Sequence, residues 1–181
     1  MRLGPGGSRG FTLLEVLVVV AIIGIVLAMA TLNVGGDRRG DALREESRRF
    51  AVLIQLADEQ AILRSEEWGV RLDAEGYGFL VLDGEQWVPV GDPVFRERRF
   101  DEGTRVDLEL EGRPLVLPGD ESDAREEEEK QDGAVPERPE ILLLSSGEMS
   151  PFVAEFSAVG SPNRYRVRST LLGEVEWSPV E

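Results

Sequence analysis

The side chains able to do chemistry in this chain are almost all carboxylates, and two chemical classes are missing altogether. Its 181 residues include no His and no Cys. Without imidazole, the commonest general base and the commonest zinc ligand are both gone. Without thiols there is no disulfide scaffold and no thiolate metal site. An ordinary hydrolytic triad and a zinc enzyme are therefore set aside. Asp and Glu number 35 against 20 Lys and Arg, a formal charge of −15. That abundance makes any pairing of carboxylates uninformative about acid–base work. It also argues against a nucleic-acid binder, whose affinity comes largely from Lys and Arg neutralising phosphates. Asp120, Glu121 and Asp123 offer the oxygens that calcium takes, but no Asp-x-Asp-x-Asp-Gly loop is present, and a solvated charge run is the plainer reading. No catalytic, cofactor or metal residue is assigned. One acid stands apart by its surroundings. Glu15 is the only full charge between Phe11 and Leu32, in a run otherwise apolar, small or weakly polar. A carboxylate in such a run needs a partner and a purpose.

The elements that must position it follow from the pattern. Residues 1–10, "MRLGPGGSRG", carry Arg2 and Arg9 and no acid. Positive charge ahead of an apolar run keeps that end cytoplasmic. As a helix, Phe11 to Leu32 spans roughly 33 Å at about 1.5 Å per residue, enough for a hydrocarbon core. Asn33 to Asp41, "NVGGDRRGD", is a polar, Gly-rich break in which a helix should weaken. The passage "ALREESRRFAVLIQLADEQAILRSEEWG" then has helical periodicity. Leu43, Phe50, Ile54, Ala57 and Ala61 recur on one face, Leu53, Leu56 and Leu63 widen the stripe, and Glu45, Arg49, Asp58 and Glu59 lie off its centre. From Trp68 the period becomes two. "WGVRLD", "YGFLVLD", "QWVPV", "TRVDLEL", "PEILLLS", "FVAEFS", "YRVRST" and "GEVEW" read as short strands between turn residues. Val106, Leu108 and Leu110 point inward on one of them, Tyr165 and Val167 on another, and Val175 and Trp177 on the last. Such alternation belongs to antiparallel sheets with one solvated face, and this many strands implies two packed sheets. "TLLG" leaves room for a tight turn between the last two. Pro118 to Pro139 is acidic, bracketed by prolines and almost free of large apolar residues, so it reads as a loop that cannot bury enough to order itself.

Three readings compete for the amino terminus. "AMA" at Ala28 to Ala30 would end a secretory signal peptide, leaving a mature chain from Thr31. A plain uncut anchor is the second. Neither explains Glu15. The third starts from "G" then "FTLLE": Gly10, Phe11, Thr12, Leu13, Leu14 and Glu15 directly before an uninterrupted apolar run. This stretch resembles the processing site of type IV prepilins and of the pseudopilins of type II secretion. The resemblance implies cleavage after Gly10 by a prepilin peptidase and N-methylation of Phe11. A glycine there lets the backbone lie close to catalytic groups. It also implies that the apolar helix is retained, first as anchor and then as filament core. Glu15 becomes the fifth residue after the cut, paired with the Phe11 amine of a neighbouring subunit. Like a polar group in a coiled-coil seam, it would set the register of one apolar helix against the next.

Further along, "FAVLIQLADEQAILRSEEWGV" running straight into a strand is similar to the H-type minor pseudopilins of the general (type II) secretion pathway. So is "ILLLSSGEMSPFVAEFS" followed by "YRVRSTLLGEVEW". The resemblance covers the amino-terminal third and roughly the last 45 residues. It implies an α+β, pilin-like fold: a long amino-terminal helix, its first half membrane-embedded, packed on an antiparallel β-rich domain of two sheets. The expected organisation is a leader at 1–10, a transmembrane and filament-core helix at 11–32, an amphipathic helix with its linker at 33–66, and a periplasmic β-rich domain at 67–181 with the acidic loop at 118–139. The implied function is a structural subunit of the secretion pseudopilus, in the inner membrane with its amino terminus cytoplasmic, and not an enzyme. Expected partners are the prepilin peptidase, other minor pseudopilins and the major one, the inner-membrane assembly platform and inner-membrane lipid. A minor pilin of type IV pili, some of which take up DNA, is the alternative. Its nearest support is Arg164, Arg166 and Arg168, a basic stripe on one strand face, in a chain whose overall charge repels phosphate.

Overall fold

The computed structural model describes residues 13–34, 37–119 and 138–180. They fall into two compact units, Met1–Arg38 and Arg39–Glu181. The first holds α1, Leu13–Val34. Its side chains from Leu13 to Ile25 are all exposed. Apart from Glu15 these side chains are apolar, so hydrophobic surface is bared all round this stretch of the helix.

The second unit begins with α2, Arg38–Arg64. Helix therefore enters the expected break from both sides, and α2 starts three residues earlier than Asp41. Gly40 lies on the buried face with Leu43, Ser47, Phe50 and Ile54. Packing against that face offsets the roughly 1 kcal/mol that glycine costs a helix. Leu43, Phe50, Leu53, Ile54, Ala57 and Ala61 are buried, as the stripe required. Leu63 is not: it is 76% exposed. It sits two residues past Ala61, about 200° further round the helix, and faces away. Asp58 departs in the other direction, being only 9% exposed.

All strand pairings are antiparallel. One sheet has the order β3-β2-β1-β7, built from Gln86–Pro89, Gly76–Asp83, Trp68–Leu72 and Ile141–Leu143, with β4 (Arg98–Arg99) also pairing β2. The other has the order β10-β9-β8-β5-β6, from Val175–Pro179, Tyr165–Ser169, Phe152–Ala158, Thr104–Leu110 and Arg113–Leu115. The expected alternation holds: Leu108, Tyr165 and Val167 are buried, and Val106, Leu110, Val175 and Trp177 are partly buried against the same core. The short strands β4 and β6 lack enough residues to show a period. The 3₁₀ turn Pro93–Phe95 carried an unread signal, Asp92 capping Val94 N–H with Pro93 next in line.

Phe50 is where the three layers meet. Its ring lies 5.0 Å from Tyr77 on β2, and 6.2 and 5.4 Å from Phe152 and Phe156 on β8. One α2 side chain thus touches both sheets, which Phe100 also bridges, at 5.7 Å from Tyr77 and 6.1 Å from Phe156. Phe50→Ala should cost about 3–5 kcal/mol in a urea melt of the full chain in detergent, the range for emptying a buried aromatic site. A loss below about 1 kcal/mol would show that the sheets hold together without it.

The acidic segment leaves and re-enters at one place. Ala74 N–H donates to Pro118 O at 3.0 Å, while Glu140 N–H donates to Val70 O at 3.0 Å and Leu72 N–H to Glu140 Oε2 at 2.7 Å. Both feet stand at the end of β1. Deleting residues 119–138 and joining the feet with a short glycine linker should leave the melting temperature nearly unchanged, since loop length enters stability only logarithmically. A large loss on deletion would mean the segment is structural.

Candidate functional site

The site the sequence points to is the start of the apolar helix. Gly10 and Phe11 lie outside the described residues, as do Asp120, Glu121 and Asp123. Glu15 falls in the first turn of α1. Carboxylate in that turn suits the helix dipole. Leu13, Leu14 and Leu17 around it are 83%, 74% and 63% exposed. The acid is thus framed by bare leucines. Among the described residues no helix is long and apolar enough to cross a membrane, and none of their acids gather in threes around a metal position.

The folded unit fixes its own polar groups pairwise. Tyr77 hydroxyl donates to Glu46 Oε1 at 2.8 Å, and Arg49 bonds Glu46 at 2.5 Å and Glu45 at 2.6 Å. Burial and then the Glu46 charge push the Tyr77 phenol up, so it stays protonated as the donor. Trp177 Nε1 donates to Ser47 Oγ at 3.0 Å, and the Arg44 guanidinium lies 5.9 Å from the Trp177 ring, fastening β10 to α2. Glu67 accepts from Ser145 Oγ at 2.7 Å and Ser145 N–H at 3.2 Å. Burial raises the Glu140 carboxyl, with the Leu72 N–H bond easing it back. Arg49 with Glu45 and Glu46 is local to α2, whereas the Tyr77, Trp177, Ser145 and Leu72 bonds join elements far apart in the chain and were not read from the sequence.

The candidate basic stripe dissolves into cross-strand pairs. Arg166 stands opposite Glu155 on β8 and bonds it, and Arg168 stands opposite Glu176 on β10 and bonds it at 2.6 Å. Arg164 is exposed and precedes β9. Two of the three cations are thus already neutralised, and the face offers no phosphate track.

Asp58 is the other group that reasoning from sequence misplaced. A Cβ on Gly173, whose φ of +77° lets the β9–β10 turn close, would meet Asp58 Oδ2 at 2.9 Å. The turn thus covers the helix at that point and leaves Asp58 Oδ1 buried without a hydrogen-bond partner. Burial first, and the neighbouring Glu59 second, hold the Asp58 carboxyl above its ordinary value. Folding therefore takes up a proton there. That stabilisation is complete below the unfolded pKa and is lost as pH rises through the folded one. Asp58→Asn should raise stability by about 1–3 kcal/mol at about pH 8, where the parent must bury the charge, and change it little at about pH 3. Paired thermal melts at the two pH values check this, and a variant less stable than the parent at the higher pH would refute it.

An apolar helix with one early acid, leading into an amphipathic helix packed on two antiparallel sheets, is the plan of a pilin-like subunit. Residues 6–31 match the Prokaryotic N-terminal methylation motif, and residues 46–173 match Type II transport protein GspH. The chain is 36% identical over 159 residues to the type II secretion system protein H of Pseudomonas aeruginosa, covering 87% of each. It is 31% identical over 161 residues to that of Aeromonas hydrophila, covering 87% and 85%. Among solved structures it is similar to the minor pseudopilin EpsH of Vibrio cholerae, with TM-score 0.60 and 27% identity over 78% of this chain and 96% of that one. The solution structure of E. coli GspH shares the fold at 17% identity, with TM-score 0.56 over 80% of this chain and 92% of that one. The chain belongs to the Type II transport protein GspH family. Its function is that of a minor pseudopilin, a structural subunit in type II secretion.

Proposed function

We propose that residues 11–32 anchor this subunit in the inner membrane, amino terminus cytoplasmic, with the unit from Arg39 onward in the periplasm. A prepilin peptidase removes residues 1–10 by cutting after Gly10 and methylates the new amine of Phe11. The mature chain then enters a low-copy tip complex with other minor pseudopilins, on the inner-membrane assembly platform, and major subunits are added beneath. Glu15 pairs with the Phe11 amine of a neighbouring subunit and sets the axial register of the apolar helices. No residue is given a catalytic, cofactor or metal role.

One observation carries this reading. Gly10, Phe11 and Glu15 stand at processing-site spacing, inside the 6–31 methylation-motif match, directly ahead of a helix that is exposed and apolar from Leu13 to Ile25 apart from that acid. A signal peptide cut after "AMA" would discard the very segment the motif covers.

The charge explanation for Glu15 separates insertion from assembly. Replacing a membrane acid by an apolar residue favours insertion by up to about 2.5–3.5 kcal/mol, less near the interface. Glu15→Leu should therefore be inserted and trimmed to Phe11 as efficiently as the parent, yet fail to cross-link to other pseudopilins and fail to support export. Glu15→Asp should be intermediate, keeping the charge at shorter reach, and Glu15→Gln should resemble Leu. Intact mass gives processing, and cross-linking with an export assay gives assembly. A fully assembled and active Glu15→Leu would transfer register to apolar packing, and a mature terminus at Thr31 would end the proposal.

A further inference from the structure

The hairpin from β9 to β10 turns through Thr170, Leu171, Leu172 and Gly173, closed by Gly173 N–H donating to Thr170 O at 3.2 Å. Corner positions of such turns favour Pro, Asp, Asn and Ser, which preset the backbone or bond to it. Here both corners are leucine, 54% and 77% exposed. Neither turn chemistry nor the core asks for them. The turn is tied to its surroundings: Met149 N–H donates to Leu171 O at 3.0 Å. The neighbouring turn at 144–148 rests on the end of α2, where a Cβ on Gly147 would lie 3.4 Å from Ile62 Cδ1. Ile62 is 45% exposed and Leu63, beside it, 76%. Helix and hairpin thus bring four large apolar side chains to one end of the unit, the end of α2 remote from Arg38.

Acids outnumber cations around that end, although Arg64 there is also exposed. Glu59, Glu148 and Glu174 are exposed, while the cation Arg64 is turned over the Trp68 ring at 5.7 Å. A second copy would bring acids against acids, in a chain of net charge −15, so the rim rejects self-association. We propose that Ile62, Leu63, Leu171 and Leu172 form a docking face for a different subunit of the pseudopilus, one that presents an apolar knob flanked by Lys or Arg. This rests on the reading of the chain as a pseudopilus subunit, and adds the surface and the chemistry of its partner. The leucines supply adhesion, and the acidic rim selects the sign of what docks.

The chain contains no Cys, so Leu172→Cys places its sole thiol on this face. In cells with an intact secretion system, a bismaleimide should join Leu172→Cys to a single-cysteine variant of one other pseudopilin. Val116→Cys, at a side chain 55% exposed beyond β6, should give no such adduct. The double variant Leu171→Ser, Leu172→Ser should lower export at least tenfold with the amount of mature chain unchanged, and Glu174→Lys should weaken the adduct. The proposal is overturned by an adduct of two copies of this chain, by an adduct with an exported protein alone, by no adduct, or by normal export from the double variant. Deleting the whole chain separates the two levels. If deletion stops export but the double variant does not, the face is wrong and the subunit assignment stands; if export survives deletion, the assignment itself fails.

Discussion

Everything in the folded unit depends on α2 burying one stripe against two sheets at once. Neither sheet is wide enough to make a core alone. The chain also crosses between them repeatedly, from β4 to β5, from β6 to β7 and from β7 to β8. Phe50, Ile54, Ala57 and Ala61, each 0% exposed, give the helix a face flat enough to approach and apolar enough to hold. Dispersion and water exclusion along this stripe hold both sheets on the helix.

The surface carries a complementary restraint. Three edge strands, β3, β6 and β10, each contain a proline, at Pro89, Pro114 and Pro179. A proline has no N–H to offer an added strand, and edge strands tolerate it for that reason. Beside β3, β4 adds only Arg98 and Arg99 to the edge, and β7 is occupied by the chain itself through the Leu143–Met149 bridge and Ser150 N–H to Leu142 O. The sheets are thus not built to grow by strand pairing. Association is left to the apolar helix and to side-chain faces, which suits a subunit that must join an ordered filament without forming another kind of fibre.

Legibility in the sequence followed the range of the interaction. The α2 stripe was readable because its period is local, and so were the strands around Leu108, Val167 and Trp177. Glu15 stood out in the sequence because an acid in an apolar run is costly wherever the run is placed. What escaped were features fixed by distant partners. Asp58 looked like a flank residue until the Gly173 turn closed over it. Arg166 and Arg168 read as a solvated face, and the partners Glu155 and Glu176 became visible only once β8 and β10 stood opposite. Leu63 was misread because it lies about 200° round the helix from Ala61, on a side the sheets do not cover. Its exposure also shows that an apolar residue on a helix can mark a surface instead of a core.

Pseudopilus and pilus subunits share the apolar helix and its acid, so the sharpest measurement asks which traffic stops. The gene for this chain is deleted without disturbing its neighbours, and exported proteins are quantified in periplasm and medium. A minor pseudopilin predicts that they accumulate in the periplasm and return to the medium when the parent chain is restored. Unchanged export, with loss of surface pili or of DNA uptake instead, would contradict it.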